Sequence, residues 1–100
     1  MIRPEYELIL SALLFAIGLW GVMRRRNAIV VLMSIEIMLN AAVMNFVAFS
    51  AYANDPKGQV FALLAIAVAA GEAAVGVAIF LTLFKARGTI ELDKIRLLRW

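Results

Sequence analysis

Three long, mostly apolar stretches with almost no charged residues limit what this chain can fold into. The first, Leu8 to Met23, carries no charge, and the second (27–53) and third (60–84) carry one charged residue each. About 20 apolar residues in a helix cross the hydrocarbon core of a bilayer, which is roughly 30 Å thick. Hydrophobic residues make up 65% of the chain, whereas a soluble domain is only about half apolar. The sequence therefore predicts an all-α membrane protein with three transmembrane helices.

The 100 residues predict a single three-helix membrane domain covering 1–100. We expect spans at about 6–23, 27–53 and 60–84. Asn27 is a favourable N-cap for the second span, and NDPKG at 54–58 predicts the turn before the third. The short tail, 85–100, is mixed in charge and partly amphipathic. We expect it to lie at the membrane interface or on a neighbouring subunit.

The basic residues predict the orientation of the three spans. With three spans, the 24–26 loop and the C-terminal tail share one side of the membrane, and that side holds eight of the ten basic residues: Arg24, Arg25, Arg26, Lys85, Arg87, Lys94, Arg96 and Arg99. The other side holds only Arg3 and Lys57. Since cytoplasmic loops carry the excess of Lys and Arg, the N-terminus is predicted outside and the C-terminus in the cytoplasm. The basic loop Arg24–Arg25–Arg26 either sets this topology and contacts lipid headgroups or contacts a partner subunit.

The absence of cysteine and histidine excludes several kinds of site. Without thiolate or imidazole ligands, haem, iron–sulfur clusters and the common zinc sites are not expected on this chain. The usual Ser/His and Cys/His nucleophile pairs are excluded as well. A net charge of +3 in a membrane chain reports topology rather than nucleic-acid binding. We expect this chain to bind no redox cofactor and no metal.

Glu36 and Glu72 are the two charged residues in the interior of the predicted spans. A charged, unpaired acid at the bilayer centre costs about 2.5–3.5 kcal/mol or more. Counted from Asn27 and Lys85 at 1.5 Å per residue, the two carboxyl groups lie near mid-membrane, about 6 Å apart in height. No Lys or Arg lies in the spans to pair with them, so each is neutral, hydrated, or paired with a charge on another chain. Two acids at similar depth in so short a chain favour proton handling inside a larger assembly. The alternative is a pair of neutral acids that link helices by hydrogen bonds.

Other polar and small residues surround the two acids. Asn40 lies one turn after Glu36 on the same helical face and can bind it directly or through a water. Asn45 falls on the opposite face, and it and Ser34 are either supporting polar groups or polar links between helices. On the third span one face is predicted to permit close helix approach; it comprises Ala65, Ala69, Glu72, Ala73 and Gly76.

Two stretches of this sequence resemble a known family. RRNAIVVLMSIEIMLNAA (25–42) and GQVFALLAIAVAAGEAAVGVAI (58–79) are similar to the K-type small membrane subunit of respiratory complex I, the homologue of mitochondrial subunit 4L. The motifs S-I-E-x-x-L-N-A and A-A-x-E-A-A-V-G carry the resemblance, which covers nearly the whole chain. The stretch GEAA, which contains Glu72, departs slightly from the family's more familiar AEAA or CE.

The resemblance implies a subunit of a proton-translocating NADH:quinone oxidoreductase in a cytoplasmic, inner, thylakoid or other energy-transducing membrane. It implies that Glu36 and Glu72 join the proton-translocation pathway, next to a quinone-site subunit, a J-type subunit and antiporter-like subunits. NAD(H), flavin, iron–sulfur clusters and quinone are then expected on other subunits, and the isolated chain is not catalytic. Relatives that use ferredoxin or a reduced deazaflavin as electron donor fit the same resemblance.

Other functions fit the residues too. The small subunit of a multisubunit cation/proton antiporter has a similar three-helix form and would use the same acids. A ring subunit of a rotary ATPase typically has two helices and one essential acid, so it fits less well. A structural scaffold subunit would need neither carboxyl group.

The predicted topology can be tested by labelling single cysteines introduced at Lys57 and Lys94. We expect the cysteine at position 57 to react from outside intact cells and the one at position 94 only after permeabilisation, because the basic residues divide eight to two. Labelling of both from the same side would contradict three spans.

Overall fold

The chain folds as three long helices and one short one. The computed structural model describes residues 3–89 and 91–94, with α1 at Pro4–Arg24, α2 at Ala28–Ala53, α3 at Lys57–Arg87 and a 3-10 helix at Leu92–Lys94. Each of the three α-helices is long and apolar enough to cross a membrane, which confirms the predicted all-α membrane class. At 1.5 Å per residue, α3 is about 46 Å long, well beyond the hydrocarbon thickness.

Local sequence explains where α1 and α2 begin. Pro4 occupies the first turn of α1, where its missing N–H has no helical partner, and Glu5 and Glu7 lie at the positive end of the helix dipole. The Oδ1 atom of Asn27 accepts hydrogen bonds from the amides of Ile29 and Val30, at 2.9 and 3.3 Å. Asn27 therefore caps α2, as its sequence position predicts.

The turn between α2 and α3 comprises residues 54–56 and is shorter than the predicted turn at 54–58. Asn54 ends α2 in the left-handed conformation (φ 55°), and the carboxylate of Asp55 accepts a hydrogen bond from the amide of Lys57 at 3.0 Å. This bond satisfies a backbone donor at the start of α3, so the helix begins at Lys57 and includes Gly58. At its other end α3 continues to Arg87, three residues beyond the predicted span.

Two glycines bring α1 against α2. A Cβ atom on Gly18 would lie 2.6 Å from the carbonyl oxygen of Ser34 and 2.5 Å from Met38 Cγ. A Cβ on Gly21 would overlap the Ser34 hydroxyl. Both positions leave no room for a side chain, so the α1–α2 contact depends on glycine.

A stripe of small residues faces α2 from α3. These are the least exposed positions of α3 over most of its length: Gly58, Ala62, Ala65, Ala69, Ala73 and Gly76. A Cβ on Gly58 would lie 2.7 Å from the Phe46 carbonyl oxygen, and one on Gly76 would lie 3.2 Å from Leu32 Cδ2. The predicted small-residue face is therefore the α2-facing side of α3. Glu72 lies at the edge of this stripe and is exposed, rather than within it.

The three helices form a row with α2 in the middle. The α2 residues that meet α1 and those that meet α3 lie about 150° apart around the helix, at 100° per residue. Among the described side chains, the buried ones are all small or medium in size: Ser11, Ala28, Ser34, Ala41, Val43, Ala48, Ser50 and Ala62. The chain consequently leaves two broad faces open to lipid or to other subunits.

The glycine contacts predict unequal effects of adding one methyl group. Gly18→Ala forces α1 away from the α2 backbone and should destabilise the helix pair by about 1–3 kcal/mol. Gly71→Ala is the matched control, since a Cβ there meets nothing within 4 Å and alanine favours the helix by roughly 0.5–1 kcal/mol. Thermal stability and abundance of the assembled complex on native gels report the difference. Equal stability of the two variants would show that α1 and α2 do not depend on this close approach.

Candidate functional site

Glu36 lines a narrow cleft between α2 and α3. The carboxylate is half-buried, and the cleft, of about 190 Å³, is bounded by Leu39, Asn40 and Val43 on α2 and by Ile66, Ala69 and Ala70 on α3. The alanines leave the gap because they carry no side chain beyond Cβ. The cleft is large enough to admit water.

Glu72 lines a second, wider groove of about 460 Å³. Its walls are apolar apart from the carboxylate: Leu39, Ala42, Val43 and Phe46 on α2, and Phe61, Leu64, Ala65, Val68 and Ala69 on α3. Glu72 itself is exposed. A lipid or protein group that packs into this groove would therefore contact the Glu72 carboxylate.

The two carboxylates lie on opposite flanks of the α2–α3 contact. Leu39, Val43 and Ala69 line both clefts and thus form the wall between them. On α3, the Glu36 cleft is lined by the side that carries Ile66 and Ala70. The groove at Glu72 is lined by the opposite side, which carries Leu64 and Val68. One broad face of the helix row therefore carries Glu36 and the other carries Glu72.

The helix register places the two acids at the same height. Leu32 lies against Gly76, and Ser50 lies against Gly58. Glu36 lies four residues along α2 from Leu32, and Glu72 lies four residues back along α3 from Gly76. The contact of Ser50 with Gly58 gives the same register, so both contacts place the two acids level. The offset of about 6 Å expected from sequence is absent because α3 extends past the start of α2, so Asn27 and Lys85 are not level.

Asn40 shares the Glu36 cleft, as their spacing predicts. Within residues 3–89 and 91–94, however, neither Glu36 nor Glu72 has a hydrogen-bond or ion-pair partner. Asn40 is exposed beside Glu36 rather than bonded to it. Both acids are left available to water or to groups of another subunit.

Asn45 and Ser34 face α1 instead. The Ser11 hydroxyl donates to Asn45 Oδ1 at 2.7 Å, and the Ser34 hydroxyl donates to the Val30 carbonyl at 2.8 Å. The Ser11–Asn45 bond makes Asn45 a polar link between α1 and α2. The Ser34 hydroxyl instead bonds within α2, and Ser34 lies against Gly18 and Gly21 of α1. Ser11 is a partner that sequence analysis missed, since nothing in the sequence connects two residues 34 positions apart.

The basic loop lies at one end of the row, together with the residues that follow α3. The guanidinium of Arg25 lies 5.6 Å from the centre of the Trp20 ring, a cation–π contact. Arg26 pairs with Asp93 at 3.5 Å. The tail was expected on the membrane or on a neighbour; its described part packs on this loop, and residues 95–100 lie outside the described chain.

Comparison with known proteins gives consistent matches over the whole chain. The family model for NADH-ubiquinone/plastoquinone oxidoreductase chain 4L matches residues 6–100. The NAD(P)H-quinone oxidoreductase subunit 4L of the Paulinella chromatophora organellar chromatophore is 53% identical, over 99% of this chain and 98% of its own. The corresponding subunit 4L of Synechococcus sp. (strain JA-3-3Ab) is 49% identical over 100% of both chains. The NADH-quinone oxidoreductase subunit K of Salinibacter ruber is 50% identical over 98% of this chain and 97% of its own.

Proposed function

Because this chain belongs to the family of NADH-ubiquinone/plastoquinone oxidoreductase chain 4L, we propose that it carries protons across the membrane arm of such a complex through Glu36 and Glu72. The observation that carries the proposal is their placement. The two carboxyl groups are level with each other, unpartnered within the described chain, and open to opposite faces of the helix row.

The placement suits a path that crosses this subunit from one neighbour to the next. A proton reaching Glu36 from one face has water-sized space and the Asn40 amide beside it. The wall of Leu39, Val43 and Ala69 separates this cleft from the groove at Glu72, so transfer between the acids requires waters or side-chain movement at that wall. Quinone reduction elsewhere in the complex would act by changing the protonation or hydration of these acids, which requires two discrete states.

Redox chemistry is assigned to other subunits. This chain has no Cys or His, so NAD(H), flavin, iron–sulfur clusters and quinone are proposed to bind elsewhere in the complex, and the isolated chain is not catalytic. We place the basic loop and the residues after α3 on the cytoplasmic side. The J-type, quinone-site and antiporter-like subunits are the proposed neighbours on the two open faces.

Replacing each acid by its amide tests the proposal. Glu36→Gln should lose most of the proton-coupled quinone reduction in an assembled complex, roughly a hundredfold, because an amide cannot accept and release the proton. Glu72→Gln should lose less, since Glu72 is exposed and an amide there can hydrogen-bond to water or to a neighbouring subunit. Glu36→Gln combined with Asn40→Glu, which moves the acid one turn along the same face, should restore part of the activity.

Glu5→Gln makes the same chemical change in the exposed first turn of α1 and serves as the control. Quinone reductase rate and acidification in membranes are measured for all four, with native gels to confirm assembly. Wild-type pumping by Glu36→Gln in an intact complex would contradict the proton-carrying role and leave a scaffold function.

A further inference from the structure

The chain after α3 turns back and pairs with the loop that precedes α2. Gly88 ends α3 in the left-handed conformation (φ 73°), where glycine is favoured. Leu92 donates its amide to the Arg26 carbonyl at 2.9 Å, Glu91 forms an antiparallel bridge with Asn27, and Asp93 contacts Arg26. We call the described residues 88–89 and 91–93 the strap.

The strap lies where α2 and α3 are otherwise weakly joined. The one buried residue of α3 is Ala62, near the 54–56 turn at the opposite end. By the register of Leu32 and Gly76, Asn27 is level with residue 81 of α3, so α3 continues about 9 Å past the start of α2. The strap returns over this distance and joins the end of α3 to the first residues of α2.

One residue connects the strap to the helix that carries Glu36. Asn27 caps α2 through its side chain while its backbone pairs with Glu91. In Arg26, directly before it, the carbonyl accepts a hydrogen bond from the Leu92 amide and the guanidinium pairs with the Asp93 carboxylate. A shift of the strap therefore moves the capped end of α2 relative to the end of α3.

We propose that the strap is a positioning device that fixes the register of α3 against α2 and so keeps Glu72 level with Glu36, with Leu92 and Asp93 as its positioning residues. This rests on the proposed function of the two acids. The 54–56 turn holds the helix pair at one end and the strap holds it at the other. Between them, α3 contributes mostly small residues, and Leu32, Leu39 and Val43 of α2 lie against them.

Leu92→Pro tests the proposal by removing one backbone hydrogen-bond donor, the N–H of residue 92. Leu92 is the first residue of its 3-10 helix, where proline fits, and the preceding residue is extended, so the main loss is the N–H donated to Arg26. Leu92→Ala keeps that N–H and is the matched control. Both are made in the complete complex, with bio-orthogonal spin labels at positions 33 and 85 of this chain.

We expect Leu92→Pro to broaden and shift the distance between the two labels, and Leu92→Ala to leave it unchanged. The rate of proton-coupled quinone reduction should fall about tenfold in Leu92→Pro, because small displacements of transfer groups have large effects on rate. An unchanged distance in an assembled Leu92→Pro complex would overturn the strap proposal. A changed distance with wild-type pumping, while Glu36→Gln is defective, would overturn its role in proton transfer.

The ion pair supplies a second, independent test. The Arg26–Asp93 pair is exposed, so Asp93→Lys, which puts two cations together, should loosen the strap less than Leu92→Pro does. Adding Arg26→Glu should restore both the label distance and pumping. A double variant no better than Asp93→Lys would overturn the role of this contact, even if Leu92→Pro fails to assemble. If the strap variants change the distance while Glu36→Gln and Glu72→Gln both pump normally, the proposed function fails and strap control of pumping fails with it.

Discussion

Close approach of helix backbones through residues without bulk is the constraint on which this structure depends. Lipid tails are as apolar as the side chains, so the hydrophobic effect does not drive membrane helices together, and packing contacts must do so. Gly18 and Gly21 let α1 reach Ser34, and Gly58 and Gly76 let α3 reach α2. Because α1 and α3 both pack on α2, they cover two nearly opposite sides of that helix. The row, its two open faces and the placement of the acids all follow from this.

The same constraint explains how the Glu36 cleft arises. Small residues allow two helices to approach, yet next to the contact they leave unfilled space where larger side chains would have met. Ala69 and Ala70 leave such space beside Glu36, and Asn40 gives it a second polar wall. The larger apolar side chains are turned outward, as expected for a chain whose remaining surface is covered by lipid or other subunits. A hydratable site and a tight helix contact are therefore produced by one stripe of residues.

Sequence was sufficient for the features that depend on short stretches of chain. Runs of apolar residues identify three helices, Asn27 identifies the start of α2, and a spacing of four places Asn40 with Glu36. It was insufficient where distant segments meet. The common height of Glu36 and Glu72 depends on how far α3 overlaps α2, which span lengths alone do not specify. The pairing of Ser11 with Asn45, and of Asp93 with Arg26, likewise joins segments between which no local pattern exists.

The open faces also bear on the energetics of the isolated chain. An acid at the bilayer centre costs about 2.5–3.5 kcal/mol when charged and unpaired, and neither Glu36 nor Glu72 has a partner among the described residues. Covering the apolar groove at Glu72 without supplying a polar group would make that penalty larger, because the remaining water would be removed. A neighbour that packs there must therefore bring a polar side chain, a cation or ordered water to the carboxylate. The same reasoning applies to Glu36 on the other face, so the groups that would carry a proton across this subunit also select the neighbours that can assemble with it.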